Sequence, residues 1–125
     1  MDATDPESKA GFFQDGVEVI TCVVQRGKAD KVAKAALDAG AGGATIFFAR
    51  GMGLREKLGL LGLAIVPEKE VTMILCSKTN TPGIFAAVVK AAKLDVPGMG
   101  IAYISPVSAV AGLVAPDISA PPRMQ

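Results

Sequence analysis

The order strand, helix, glycine-rich break, strand occurs twice in this chain, the two copies starting about fifty residues apart. That repetition restricts the fold more than any other feature. Val17 to Gln25 is dominated by β-branched residues and reads as a strand. Lys28 to Ala39 places Ala29, Val32, Ala33, Ala36 and Leu37 at the three-and-four spacing of one helix face. Gly40, Gly42 and Gly43 follow, as glycines commonly do past a helix C-terminus. Ala44 to Ala49 is the second strand. In the other half Glu70 to Cys76 reads as a strand, and Thr79-Asn80-Thr81-Pro82 is a helix-start signal. The helix it predicts, Gly83 to Leu94, carries Ile84, Phe85, Val88, Val89 and Ala92 on its apolar face. Pro97 to Gly100 breaks that helix, and Ile101 to Val107 is the last strand. Two βαβ units in tandem predict an α+β, ferredoxin-like split βαβ sandwich (βαββαβ), in which two helices cover one face of a four-stranded antiparallel sheet.

The first strand is apolar on both alternations: Val17, Val19, Thr21 and Val23 on one side, Ile20, Cys22 and Val24 on the other. A strand of that kind is usually buried on both faces, yet one layer of helices covers only one. The second face is therefore a candidate oligomer interface, because an apolar patch of this size is unusual on a monomer. At 125 residues, half apolar and a fifth charged, the chain has the material for one globular domain. The expected organisation is a polar arm over residues 1–16, the folded domain over 17–114 with an insert at about 51–63, and a proline-rich tail over 115–125.

Thirteen basic and twelve acidic residues leave a net charge of +1, without the basic footprint of a nucleic-acid binder. Histidine is absent, which removes His-based triads, imidazole zinc sites and the usual proton shuttle. Cys22 and Cys76 sit inside apolar runs and read as small buried hydrophobes rather than metal or redox groups. The carboxylates are scattered beside lysines, as on a solvated face, and no nucleophile–base pair is evident, so the reading is of a non-enzyme that requires no metal. The N-terminal stretch lacks the basic and apolar regions of a signal peptide, and no apolar run reaches the roughly 18 residues of a spanning helix. The expectation is a cytoplasmic protein with no direct membrane insertion.

Three glycine-bearing stretches stand out: Gly40 to Thr45, Gly51-Met52-Gly53, and Pro97-Gly98-Met99-Gly100. Glycines let backbone N–H groups approach a phosphate or carboxylate; they also serve tight turns, and the sequence leaves both readings open. Between Leu54 and Leu63 the insert holds five leucines behind Arg55, Glu56 and Lys57. It is either an arm that docks on a partner through Leu54, Arg55, Glu56, Lys57, Leu58, Leu60 and Leu61, or a segment whose leucines fold back on its own domain or a neighbouring subunit.

The layout, with GATIFFARGMG (Gly43 to Gly53) leading into the insert and PGMGIAYISPV (Pro97 to Val107) at the last strand, resembles the P-II nitrogen-regulatory proteins from about Val19 to Val110. The resemblance implies a homotrimer with the sheets facing inward, adenine-nucleotide sites in the clefts between subunits, and a T-loop at the insert that docks on channels, transporters and enzymes. By resemblance Gly43, Ala44 and Thr45 lie near the adenine base, Gly51 and Gly53 near the phosphates, and Gly98, Met99 and Gly100 form the phosphate-side loop of the adjoining subunit. Arg55 lies at about the place of a T-loop glutamine that helps hold magnesium and 2-oxoglutarate. The chain departs from the pattern: Ile101 stands where members carry a lysine, and Ser108 to Leu113 hold no basic residue where members carry two arginines. The only tyrosine is Tyr103, outside the insert. The resemblance thus implies a sensor of a small anion, AMP or ADP before ATP, that regulates a partner such as a membrane transporter. The alternative is a ligand-free interaction adaptor of the same fold.

Overall fold

The computed structural model describes residues 13–51 and 68–112. Six elements follow in chain order: β1 (Phe13–Gln25), α1 (Ala29–Asp38), β2 (Thr45–Arg50), β3 (Glu68–Ser77), α2 (Thr81–Ala91) and β4 (Gly100–Val110). The strands form one sheet in the order β2-β3-β1-β4, and every neighbouring pair is antiparallel. This is the ferredoxin-like sandwich expected from the tandem βαβ pattern.

The register separates the two faces of the sheet. The cross-strand row Ile46–Thr72–Cys22–Ala102 lies on the helix side. There Ile20, Cys22, Val24, Ile74 and Cys76 bury against Val32 and Ala36 of α1 and Ile84 and Val88 of α2. The rows Phe47–Val71–Val23–Ile101 and Thr45–Met73–Thr21–Tyr103 lie on the opposite side. Both helices pack on the first face. On the second, Phe47, Met73, Ile101 and Tyr103 remain 43%, 41%, 57% and 48% exposed.

Element ends differ from the sequence reading for local reasons. β1 begins at Phe13, four residues before Val17, because a bulge takes up the polar residues Asp15 and Gly16. Asp15 adopts φ 60° there, a left-handed conformation that Asp tolerates better than most residues. α1 ends in a Schellman motif: the N–H of Gly40 (φ 110°) donates to Leu37 O, and the N–H of Ala41 to Ala36 O. α2 begins at Thr81, two residues ahead of Gly83. Asn80 holds the cap position without a side-chain cap hydrogen bond. Instead the buried Thr81 hydroxyl donates to Ser77 O at 3.1 Å, and the Thr79 N–H donates to Ser77 Oγ at 3.3 Å. α2 stops at Ala91 in a second Schellman motif, in which Lys93 N–H donates to Lys90 O and Leu94 N–H to Val89 O. Lys93 occupies the left-handed position there, at φ 53°.

Candidate functional site

The glycine segments sit on different edges of the sheet. Gly43 is exposed and Ala44 half-buried just before β2; Thr45 opens that edge strand, and Gly51 follows its end. Gly98 and Met99 are half-buried just before the opposite edge strand, which Gly100 opens. With β3 and β1 between them, the two edges of one chain stand roughly 14 Å apart, three inter-strand spacings. The predicted residues therefore do not converge within one chain. Gly53 and the insert residues Leu54, Arg55, Glu56, Lys57, Leu58, Leu60 and Leu61 lie outside the described residues.

Gly51 and Gly98 do share one end of the sheet, and two polar side chains on the central strands join them. Lys69 of β3 pairs with Gln25 of β1 in the register. Its Nζ donates to Gln25 Oε1 at 3.1 Å. Gln25 Nε2 in turn donates to Gly98 O at 3.3 Å. The lysine stem runs past Gly51, where a Cβ would lie 3.8 Å from Lys69 Cγ. Lys69 is only 7% exposed, an uncommon burial for a lysine. Neither residue stands out in the sequence: Glu68-Lys69-Glu70 looks like a solvated charged run until the register turns Lys69 onto the uncovered face.

The flanking charges point elsewhere. The Glu70 side chain faces the helices, and its Oε1 accepts the backbone N–H of Ala29 at 2.9 Å, satisfying a first-turn donor of α1. Glu68 Oε2 pairs with Arg26 Nη1 at 3.2 Å across the exposed strand ends. Arg50 ends β2 opposite Glu68 and is exposed. Strand β4 itself contains no charged residue.

Gly100 serves close packing. Its φ is 153°, and a Cβ there would stand 2.4 Å from Val23 O. Glycine is therefore required for β4 to enter the sheet, whatever else the turn before it does. Cys22 is buried, and burial pushes its thiol up to about 11, so it is protonated at neutral pH and a poor nucleophile. Cys76 is buried as well, with its Sγ 3.7 Å from the Thr81 hydroxyl oxygen.

A four-stranded antiparallel sheet with two helices on one face, in this order, defines a ferredoxin-like α+β protein. The family model "Nitrogen regulatory protein P-II" matches residues 17–114, and the chain belongs to that family. It is accordingly a regulatory signalling protein of the P-II type. No match was found among curated proteins. Among solved structures, the Arabidopsis thaliana PII protein bound to citrate superposes with a TM-score of 0.58 at 20% identity, over 75% of this chain and 79% of that one. That likeness is one of fold.

Proposed function

We propose that the protein is a homotrimeric, non-enzymatic sensor that takes a small anionic ligand in the clefts between its subunits. The observation that carries this reading is the separation of the glycine segments onto opposite edges of one sheet. A cleft that uses Gly43, Ala44, Thr45 and Gly51 together with Gly98, Met99 and Gly100 needs the β2 edge of one copy beside the β4 edge of another. The apolar sheet face, on which Met73 and Tyr103 are exposed, gives such copies a surface to associate on.

AMP or ADP suits the site better than ATP. Lys69 is a buried cation between the two glycine segments, while β4 offers no charged residue. Each charge-assisted contact missing from a triphosphate removes roughly 1.5–3 kcal/mol. The citrate held by the Arabidopsis protein is consistent with a P-II scaffold that accepts small polyanions. The signal then passes to a partner, such as a membrane transporter met from the cytoplasm, through the insert with Arg55 and its leucines. No metal is required.

Titration calorimetry on the purified full chain tests this, with its mass followed by light scattering. The panel is ATP, ADP, AMP, 2-oxoglutarate, citrate and bicarbonate, each with and without magnesium. The expected result is a trimer that binds AMP or ADP near one per subunit and ATP more weakly. The uncharged β4 favours a second reading, a ligand-free adaptor, and a trimer silent to the whole panel would establish it over the first.

A further inference from the structure

The two helices present a feature that the sensor reading does not use. Between α1 and α2, on the side away from the sheet, an open groove of about 600 Å³ runs over Ala35 and Ala87 and is bordered by Lys31, Lys34, Lys90 and Lys93. One carboxylate faces it: Asp38, whose Oδ2 pairs with Lys34 Nζ at 2.9 Å. Four lysines against one aspartate leave a local excess of three positive charges, on a chain whose total is only +1. Lys31, Lys90 and Lys93 form no ion pair among the described residues. An alanine floor between lysine walls suits an extended, acidic chain: the floor admits a backbone closely and the walls pair with its carboxylates.

The molecule itself carries such a segment. Residues 1–12 contain Asp2, Asp5 and Glu7 against the single Lys9, a net charge of −2 from side chains, with Pro6 among them. The segment lies outside the described residues and enters the fold at Phe13. Twelve residues reach at most about 40 Å, against a length of roughly 15 Å for α1. Tethering raises the local concentration to the order of millimolar, so that a few exposed charge pairs, each weak alone, suffice to bias the segment's position. We propose that the acidic segment 1–12 docks in the Lys31/Lys34/Lys90/Lys93 groove.

Zero-length carbodiimide cross-linking of the full chain at low ionic strength, mapped by peptide mass, tests the proposal. The expected result is Asp2, Asp5 or Glu7 joined to Lys31, Lys34, Lys90 or Lys93 several-fold more often than to the exposed Lys28 or Lys78. At about 0.5 M NaCl, where exposed pairs are screened, those products should disappear. A K31E/K90E variant should lose the links to the remaining groove lysines as well. Cross-links spread evenly over all surface lysines, or no product from the segment, would overturn the proposal. Circular dichroism of the K31E/K90E variant separates a lost contact from a lost fold, since both lysines are exposed and outside the core.

Discussion

Lys69 Nζ and Gln25 Oε1 stand 3.1 Å apart on the two central strands, and Gln25 passes the connection on to the carbonyl of Gly98. This relay spans the sheet end from the Gly51 side to the Gly98 side. It is a polar bridge between two of the glycine segments predicted to hold a ligand. Lys69 is a positioning residue in this arrangement: it fixes the Gln25 amide, and Gln25 fixes the turn before β4.

Replacing Lys69 by Met keeps the stem against Gly51 and removes the ammonium. The expected result is a folded protein whose affinity for ADP falls roughly tenfold, the weight of one charge-assisted hydrogen bond. Calorimetry on K69M beside Q25L checks it. Equal losses in both variants would place the two side chains in one relay, whereas unchanged affinity would remove Lys69 from the site.

Thr72 offers a test of the core. It is fully buried on β3, and its Oγ1 has no hydrogen-bond partner among the described residues. A desolvated hydroxyl without a partner costs free energy that a methyl group of the same shape does not. Thr72→Val should therefore raise stability by about 1 kcal/mol, read as a higher urea midpoint with an unchanged slope.

The legible part of this fold was what periodicity carries. The alternation in Val17–Gln25 separates Ile20, Cys22 and Val24 from Val19, Thr21 and Val23, and the sheet has that division. The element ends were less legible because they rest on hydrogen bonds that leave no pattern in composition. Asn80 occupies the cap while Thr81 and Ser77 make the bonds, and a lysine rather than a glycine takes the left-handed position after α2. For the site, the glycines were visible, but the Lys69–Gln25 pair arises only from strand register between residues 44 positions apart.

Burial of Cys22 has a pH signature. Its thiol titrates at about 11 in the fold, against an ordinary value of 9.0. Between those values the unfolded chain has lost a proton that the folded chain retains, so stability is full below pH 9 and falls as pH rises toward 11. The slope is at most about −1.4 kcal/mol per pH unit. Urea unfolding at pH 8 and pH 10.5 should show the loss, and Cys22→Ala should flatten it relative to its own pH 8 value.

At the end of α2, Lys93 is held at φ 53°, where an L-residue carries a backbone penalty of about 1–2 kcal/mol that glycine avoids. Glycine gives part of this back through the larger entropy of the unfolded chain. Lys93→Gly should stabilise the protein by about 0.5–1 kcal/mol, and Lys93→Val should destabilise it, because β-branched side chains tolerate that conformation least. Thermal unfolding of the two variants, with opposite shifts, checks the Schellman geometry directly.

The exposed sheet face supplies the test of assembly. Met73 and Tyr103 lie in one cross-strand row, separated by Thr21, and are 41% and 48% exposed. A carboxylate at either position costs little in a monomer, where it meets water. In an assembly that closes over this face it is buried beside its own symmetry mates, and like charges brought together without partners oppose association strongly. Met73→Glu and Tyr103→Glu should each leave the circular dichroism spectrum intact and reduce the mass in solution toward the 12.8 kDa of a single chain. They should abolish nucleotide binding at the same time, since the proposed cleft needs both edges. Variants that stay associated would show that the copies meet elsewhere. Dissociated variants that still bind ADP would show that one chain holds the site alone.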